Sequence, residues 1–368
     1  MANKNLTNAK KVKNDEFYTQ YGDIQKEIEA YLEYNPNVFR NKVVYCNCDD
    51  PYESNFFRYF VLNFNKLGLK QLITTSYKPS PVANTQLSLF GNDKTIPKLK
   101  GRPKVTANKF IINEVHDIDG DGEFNLKDVA KQLKANKHNE WTPLEENGDF
   151  RSDECIEILK QSDIVITNPP FSLFREYVKQ LFDYKKKFVI IGSMNAITYK
   201  EIFPLIKNNK MWLGNGFQGG NAYFFTPNTR DFASGVYDKK TGLVKFRNVC
   251  WFTNLDHGRR HQPLPLMTMA DNLKFSKHKE IKGKKAYDKY DNYDAIEVPF
   301  TDSIPSDYKG VMGVPKSFLN KYNPEQFEIL GQLRNHSLPE GFPRNGDAKL
   351  NGKDLFSRLV IRHKKVKK

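Results

Sequence analysis

The sequence predicts an α/β fold built on a doubly wound, mostly parallel sheet. Two observations predict it. Between residues 40 and 210, short apolar runs alternate with stretches of helical periodicity. The chain of 368 residues is also long enough for one large domain and a smaller one. Past residue 255 the alternation loosens into loops carrying Pro and Lys. This divides the chain into a domain at 1–255, with an exposed insertion at 78–108, and a basic region at 256–368.

Each element has a local reason. Ile24, Ile28 and Leu32 share one face of a helix over Tyr21–Tyr34. Val43, Val44 and Tyr45 read as a strand. Asp50 as N-cap, with Pro51 at the first helical position, then predicts a helix carrying Phe56, Phe60 and Phe64, stopped by Gly68. LKQLITTSY (69–77) is a second strand. Residues 78–106 hold four prolines and little periodicity, which marks the insertion. FIINEV (110–115) is extended, and a helix is expected near Leu126–Leu133. IEILKQ (156–161) then SDIVIT (162–167) is helix followed by strand. SLFREYVKQLF (172–182) is a helix, FVIIG (188–192) a strand, and TYKEIFPLIK (198–207) a helix.

Composition narrows the partners. Lys and Arg number 58 against 43 Asp and Glu, a net charge of +15, which favours a polyanion. No apolar run approaches the roughly 18 residues of a membrane span, and the lysine-rich start lacks the apolar core of a secretion signal. Nucleic acid is therefore the expected partner, and the cytoplasm the expected compartment. Cys46, Cys48, Cys155 and Cys250 form no CxxC pair, so neither a disulfide framework nor a zinc site is expected.

Chemistry concentrates at NPPF (168–171), where the strand IVIT ends. Ligands of open α/β sheets bind at the carboxyl ends of strands. Pro169 has no N–H and holds Asn168 extended; Pro170 stiffens the turn again. The loop thus presents acceptors, the Asn168 side-chain carbonyl and the Pro169 backbone carbonyl. Two fixed acceptors suit an exocyclic amine and leave its lone pair available for attack. Phe171 can stack on the ring bearing that amine, as in adenine N6 or cytosine N4. The plainer alternative is an ordinary stiff loop.

With these residues the chain resembles the S-adenosylmethionine-dependent amino-methyltransferases, and within them the EcoRI-type adenine-specific DNA methylases. NPPF resembles their catalytic loop, NDEFYTQ (14–20) their N-terminal cofactor motif with Gln20 in place of Pro, and GDFRS (148–152) their third cofactor motif. CWFTNLD (250–256) and GVPKSFLNKYNPEQFEILG (313–331) are also similar. The resemblance implies a Rossmann-like methyltransferase sheet with a smaller C-terminal recognition region. It also implies methyl transfer from S-adenosyl-L-methionine to N6 of an adenine flipped out of double-stranded DNA, with no tuned acid or base. Asn168, Pro169, Pro170 and Phe171 become catalytic candidates. Phe17, Tyr18, Thr19, Asn47, Asp50, Pro51, Asp149, Phe150 and Asn168 become cofactor candidates.

Two departures stand out. CNCDDP (46–51) replaces the usual glycine-rich turn, so the side chains of Asn47 and Asp50 are expected to hold the cofactor's methionine end. Thr75, Ser76 and Tyr77 stand where an acidic residue usually meets the ribose. Two rivals follow: a DNA-binding protein that kept the fold without catalysis, and a methyltransferase of RNA or protein glutamine.

For DNA contact the candidates are Arg259, Arg260, Lys282, Lys284 and Lys285, with the basic tail 357–368. Trp251 and Phe252 read either as a second stacking wall or as core. DIDGDGEFNLKD (117–128) fits a calcium loop or a polar turn; its last position is Asp128, not Glu. KGRPK (100–104) resembles an AT-hook core or is a basic loop. QLSLF (86–90) resembles the pentapeptide that docks on the bacterial sliding clamp, through Gln86, Leu87, Leu89 and Phe90, or is a flap on its own domain. One methyl transfer per binding event requires only a monomer.

Overall fold

A computed structural model describes residues 18–48, 54–77, 107–118, 120, 124–135, 138–217, 221–225, 235–333 and 346–364. The chain divides into two compact units, 1–194 with 214–255, and 195–213 with 256–368. The helix expected in TYKEIFPLIK, observed at Phe203–Lys207, thus belongs to the second unit rather than to the alternating domain.

The first unit opens with β1 (Tyr18–Thr19) and α1 (Tyr21–Tyr34), the latter as its periodicity predicts. β2 (Val43–Cys46) is wholly buried. The helix after it, α2 (Asn55–Leu62), starts later than the Asp50-Pro51 pattern implies. Its N-cap is Ser54, whose hydroxyl accepts from the amides of Phe56 and Phe57 at 3.1 and 3.3 Å. A short helix, α3 (Phe64–Leu67), stops at Gly68 with φ +63°. Then come β3 (Gln71–Thr75), β4 (Asn108–Ile112), α4 (Leu126–Ala135), β5 (Glu140–Pro143), α5 (Asp153–Gln161), β6 (Ile164–Thr167), α6 (Phe174–Asp183) and β7 (Lys187–Ser193). The strand β8 (Trp212–Leu213) lies in the second unit, while β9 (Asn221–Phe225), β10 (Tyr237–Asp238), β11 (Leu243–Arg247) and β12 (Val249–Thr253) complete the first.

The large sheet is mixed. Within the first unit its order is β5-β4-β3-β2-β6-β7-β12. β3, β2, β6 and β7 pair parallel at the centre, while β4, β5 and β12 add antiparallel at the flanks. The expectation of a mostly parallel sheet is corrected to this extent. β4 runs antiparallel to β3, with Thr74 opposite Phe110, and β12 antiparallel to β7, with Trp251 opposite Ile191. A second sheet of the unit has the order β1-β9-β11-β10.

Aromatic side chains fill this core. Phe56, Phe57 and Phe60 of α2 are buried, and Trp251 and Phe252 of β12 are 1 % and 0 % exposed, which makes the latter two core rather than a stacking wall. Phe217 stacks on Trp251 with centroids 5.5 Å apart. A carboxylate is buried in the same unit: Glu27 of α1 accepts the amides of Asn215 and Gly216 at 2.8 and 2.5 Å, and the Tyr31 hydroxyl donates to it at 2.5 Å. Backbone donors compensate a charge that burial alone would penalise.

The acidic loop 117–128 is described in part. Asp128 accepts the amides of Ile118 and Asn125 at 3.1 and 2.9 Å, the latter closing the first turn of α4. Both its oxygens serve backbone donors, which fits the polar-turn reading.

The second unit contains α7 (Phe203–Lys207), α8 (Met269–Phe275), β13 (Ile296–Glu297), β14 (Met312–Pro315), β15 (Phe327–Gln332), a hairpin of β16 (Lys349–Leu350) and β17 (Lys353–Asp354), and β18 (Arg358–His363). Its sheet order is β13-β14-β18-β15. The loosened pattern past residue 255 therefore hides a real sheet, whose strands are short and bounded by loops. No helix among the described residues is long and apolar enough to cross a membrane.

Candidate active site

The carboxyl ends of β2 and β6 are tied together by side chains. The Thr167 hydroxyl donates to the backbone carbonyl of Asn47, and the Tyr177 hydroxyl donates to Asn47 Oδ1. Asn47 is 2 % exposed, so its side-chain carbonyl serves an internal brace. That departs from the expectation that this oxygen faces a cofactor. Burial pushes the Tyr177 phenol well above its ordinary range, which keeps it a neutral donor.

Cys48 follows with φ +61°. Cys48 thus adopts the left-handed conformation that a glycine takes without strain, at the cost a side chain incurs there.

Asn168 emerges from the buried strand β6, half-buried, with its side-chain oxygen shielded from solvent. Pro170 is extended (φ −55°, ψ 121°), and its carbonyl accepts the Leu173 amide at 3.0 Å, closing a single helical turn over Phe171–Leu173. α6 then packs close on the sheet. A Cβ on Gly192 of β7 would lie 2.5 Å from the Phe174 ring, so the glycine permits that approach.

Phe171 meets Phe246 of β11 edge-on, with centroids 6.4 Å apart, and Phe246 meets Phe224 of β9 at 5.5 Å. β9 pairs with β1, placing Tyr18 opposite Phe225 and Thr19 opposite Phe224. The small sheet therefore joins the Tyr-Thr segment to NPPF. Asn55, the first residue of α2, donates to the Thr19 carbonyl at 2.7 Å. Thr19 Oγ1 is buried with no hydrogen-bond partner among the described residues.

The third segment arrives at the end of β3. Gly148 has φ +75°, and a Cβ there would lie 1.9 Å from the Ser76 carbonyl oxygen. Only glycine fits that contact. Ser76 itself is committed, its hydroxyl accepting the Asn108 amide at 2.8 Å, and Thr75 shares a 2.9 Å hydrogen bond with Tyr45. The contact seats Asp149 beside the strand end that lacks an acidic residue of its own. Phe150 packs edge-on against Tyr177 at 5.0 Å. The Arg151 guanidinium donates to Asp149 at 2.8 and 2.7 Å and holds its carboxyl below the usual range.

Thus Asn47 is linked through Tyr177 to Phe150, and Phe171 through Phe246 and Phe224 to the strand of Tyr18 and Thr19. Phe17, Asp50, Pro51, the segment 86–90 and KGRPK lie outside the described residues. Tyr177, Asn55 and Gly148 were missed as site residues. A tyrosine on the otherwise apolar stripe Phe174, Val178, Leu181 is the signal that could have found the first.

The basic candidates occupy the second unit. Lys282 and Lys285 are exposed, and Lys284 is exposed with its ammonium 2.5 Å from Asp288. Arg259 is half-buried. Arg260 is a correction: it is 6 % exposed, bonded to Asp256 at 2.7 Å and to Asn209 at 2.5 Å, and its guanidinium lies 3.6 Å from the Trp212 ring centroid. It is an internal strut, because phosphate contact would require breaking all three.

Comparison with known proteins gives a consistent picture. The family model described as adenine-specific methyltransferase EcoRI matches residues 5–364. The chain is 42 % identical to the type II methyltransferase M.EcoRI of Escherichia coli over 369 residues, 100 % of this chain and 98 % of that protein. It is 35 % identical to M.MgeORF184P of Mycoplasma genitalium, covering 97 % of this chain and 98 % of that one. It is likewise 35 % identical to M.MpnI of Mycoplasma pneumoniae, covering 97 % of each. No solved structure matches.

Proposed function

The chain belongs to the EcoRI family of adenine-specific methyltransferases and is an adenine-specific DNA methyltransferase, and we propose that its reaction takes place where β2 and β6 end. The observation that carries this reading is that Asn168 follows β6, whose last residue Thr167 is hydrogen-bonded to Asn47 at the end of β2. The parallel centre of the large sheet then serves as a Rossmann-like methyltransferase core, and the second unit as the recognition region.

In this reading S-adenosyl-L-methionine, when bound, supplies an electrophilic methyl group on a sulfonium. The residues present suit it: a buried Thr19 hydroxyl with no hydrogen-bond partner among the described residues, a left-handed backbone at Cys48 and a carboxylate at Asp149. Thr19 and Asp149 hold its polar groups, while Asn47, locked by Tyr177, shapes the turn that receives its methionine end.

Asn168 and the Pro169 carbonyl accept hydrogen bonds from N6 of a flipped-out adenine. Those bonds orient the nitrogen lone pair toward the methyl group. Phe171, fixed by Phe246, stacks on the base. The N6 proton departs after transfer. Rate comes from positioning and electrostatics, without a general base. A single copy of the chain suffices for one transfer on duplex DNA.

The test is Asn168→Ala, assayed with labelled cofactor and plasmid DNA followed by digestion. N6-methyladenine should fall at least a hundredfold while DNA affinity stays within a few-fold. Undiminished methylation by that variant sinks the assignment.

A further inference from the structure

The second unit projects a short, exposed hairpin whose shape is set from behind. β16 and β17 pair as Lys349 with Asp354 and Leu350 with Lys353. The two turn residues, Asn351 and Gly352, have φ of +51° and +74°, the signature of a type I′ turn. Asp291 receives both turn amides, Asn351 at 3.2 Å and Gly352 at 2.7 Å, and its own amide donates to the Lys349 carbonyl at 2.9 Å. Asn292 Oδ1 accepts the Lys349 amide at 2.9 Å. A two-stranded ribbon this short is not stable alone, so these bonds account for its order.

The tip has groups to spare. Lys349, Asn351, Gly352 and Lys353 are all exposed, and the Asn351 side chain makes no hydrogen bond among the described residues. Asp354 stands opposite Lys349 across the ribbon, and Lys353 is exposed beside the turn. Leu350 and Asn351 line a cavity of about 400 Å³ together with Lys284 and Ile281. The hairpin tip and Lys284 therefore border the same opening, with Glu280, Asp288 and Glu297 also in its wall. Leu273 of α8 lines it too, and two residues on stands Phe275, 60 % exposed, with Lys274 Nζ 4.9 Å from its ring centroid.

We propose that this hairpin enters the major groove of the target DNA, with Asn351 reading the edge of an adenine and Lys353 contacting the phosphate backbone. The major groove admits a two-stranded ribbon, and an asparagine amide matches adenine N6 and N7 with one acceptor and one donor. Lys282 and Lys285, exposed in the same unit, supply sequence-independent attraction. Asp291 keeps the ribbon preformed, so little ordering cost falls on binding. The inference rests on the activity stated above, and it concerns a part of the chain outside the reacting groups.

The test begins by sequencing the positions the wild-type protein methylates. Asn351→Gly removes the amide yet suits a turn with positive φ, so folding is preserved; a melting curve checks this. Binding and methylation are then measured on the cognate duplex and on duplexes changed at one base pair. The variant should lose roughly tenfold to a hundredfold discrimination at one A·T position, with binding to unrelated DNA unchanged. Placing 7-deazaadenine at that position should weaken the wild type and leave Asn351→Gly unaffected. Lys353→Gln should weaken cognate and unrelated DNA alike and lower the salt slope by about 0.9. Wild-type discrimination at every position in Asn351→Gly overturns the proposal. Absence of methylation by the wild type would instead strike the assigned activity.

Discussion

Tyr177 of α6 donates its hydroxyl to the side-chain carbonyl of Asn47, the first residue beyond β2. The helix that follows NPPF thereby fixes the turn that follows the neighbouring strand. Tyr177→Phe leaves that buried oxygen without its donor, which costs about 1–3 kcal/mol. The expected outcome is a lower melting temperature together with weakened cofactor affinity and little change in DNA affinity. Calorimetry and cofactor titration check it; an unchanged cofactor affinity would detach the brace from the site.

Arg260 and the exposed lysines should behave oppositely. Arg260→Ala strips Asp256 and Asn209 of a buried partner and leaves the Trp212 ring uncovered, so a loss of about 3 kcal/mol is expected. Lys282→Ala and Lys285→Ala should leave the melting curve alone and each lower the salt slope of DNA binding by about 0.9. Affinity measured from low to high salt, beside melting curves, separates the two classes.

His257 makes the second unit acid-sensitive. Burial lowers its pKa from 6.5 to about 4, and its Nε2 lies 3.0 Å from the Leu213 carbonyl. The unfolded chain takes up the proton first as pH falls. Stability is therefore complete above about pH 6.5 and declines between there and about pH 4, by up to about 3 kcal/mol. His257→Gln should flatten the melting temperature across that window. A slope equal to the wild type's would assign the acid response to other groups.

Much of the first unit was legible from the sequence because its periods are long and undisturbed. α1 runs over the residues its Ile24–Ile28 stripe implies, and NPPF ends a strand as the IVIT run suggests. What was illegible depends on tertiary contact. Periodicity could not tell that β4 and β12 run antiparallel, since direction follows from the connection and not from the strand. Nor could it tell that Arg260 turns inward, because an arginine beside another arginine looks like surface until Trp212 and Asp256 surround it. The need for glycine at 148 is set by one carbonyl oxygen, that of Ser76, which is over seventy positions away in the chain. Asp50 and Pro51 looked like a helix start, yet Ser54 takes the cap, because its hydroxyl reaches two amides.

β18, which follows β13, β14 and β15 in the chain, lies between β14 and β15 in the second unit's sheet. During synthesis both neighbours leave the ribosome before the piece that joins them. Residues 195–213 emerge earlier still and wait for the same closure, with Ile197, Ile202, Phe203 and Met211 among the side chains finally buried. Completion of this half thus waits for the last strand of its sheet to emerge. A premature stop ahead of Arg358 removes the keystone from everything laid down before it, and such a fragment is material for chaperones and proteases.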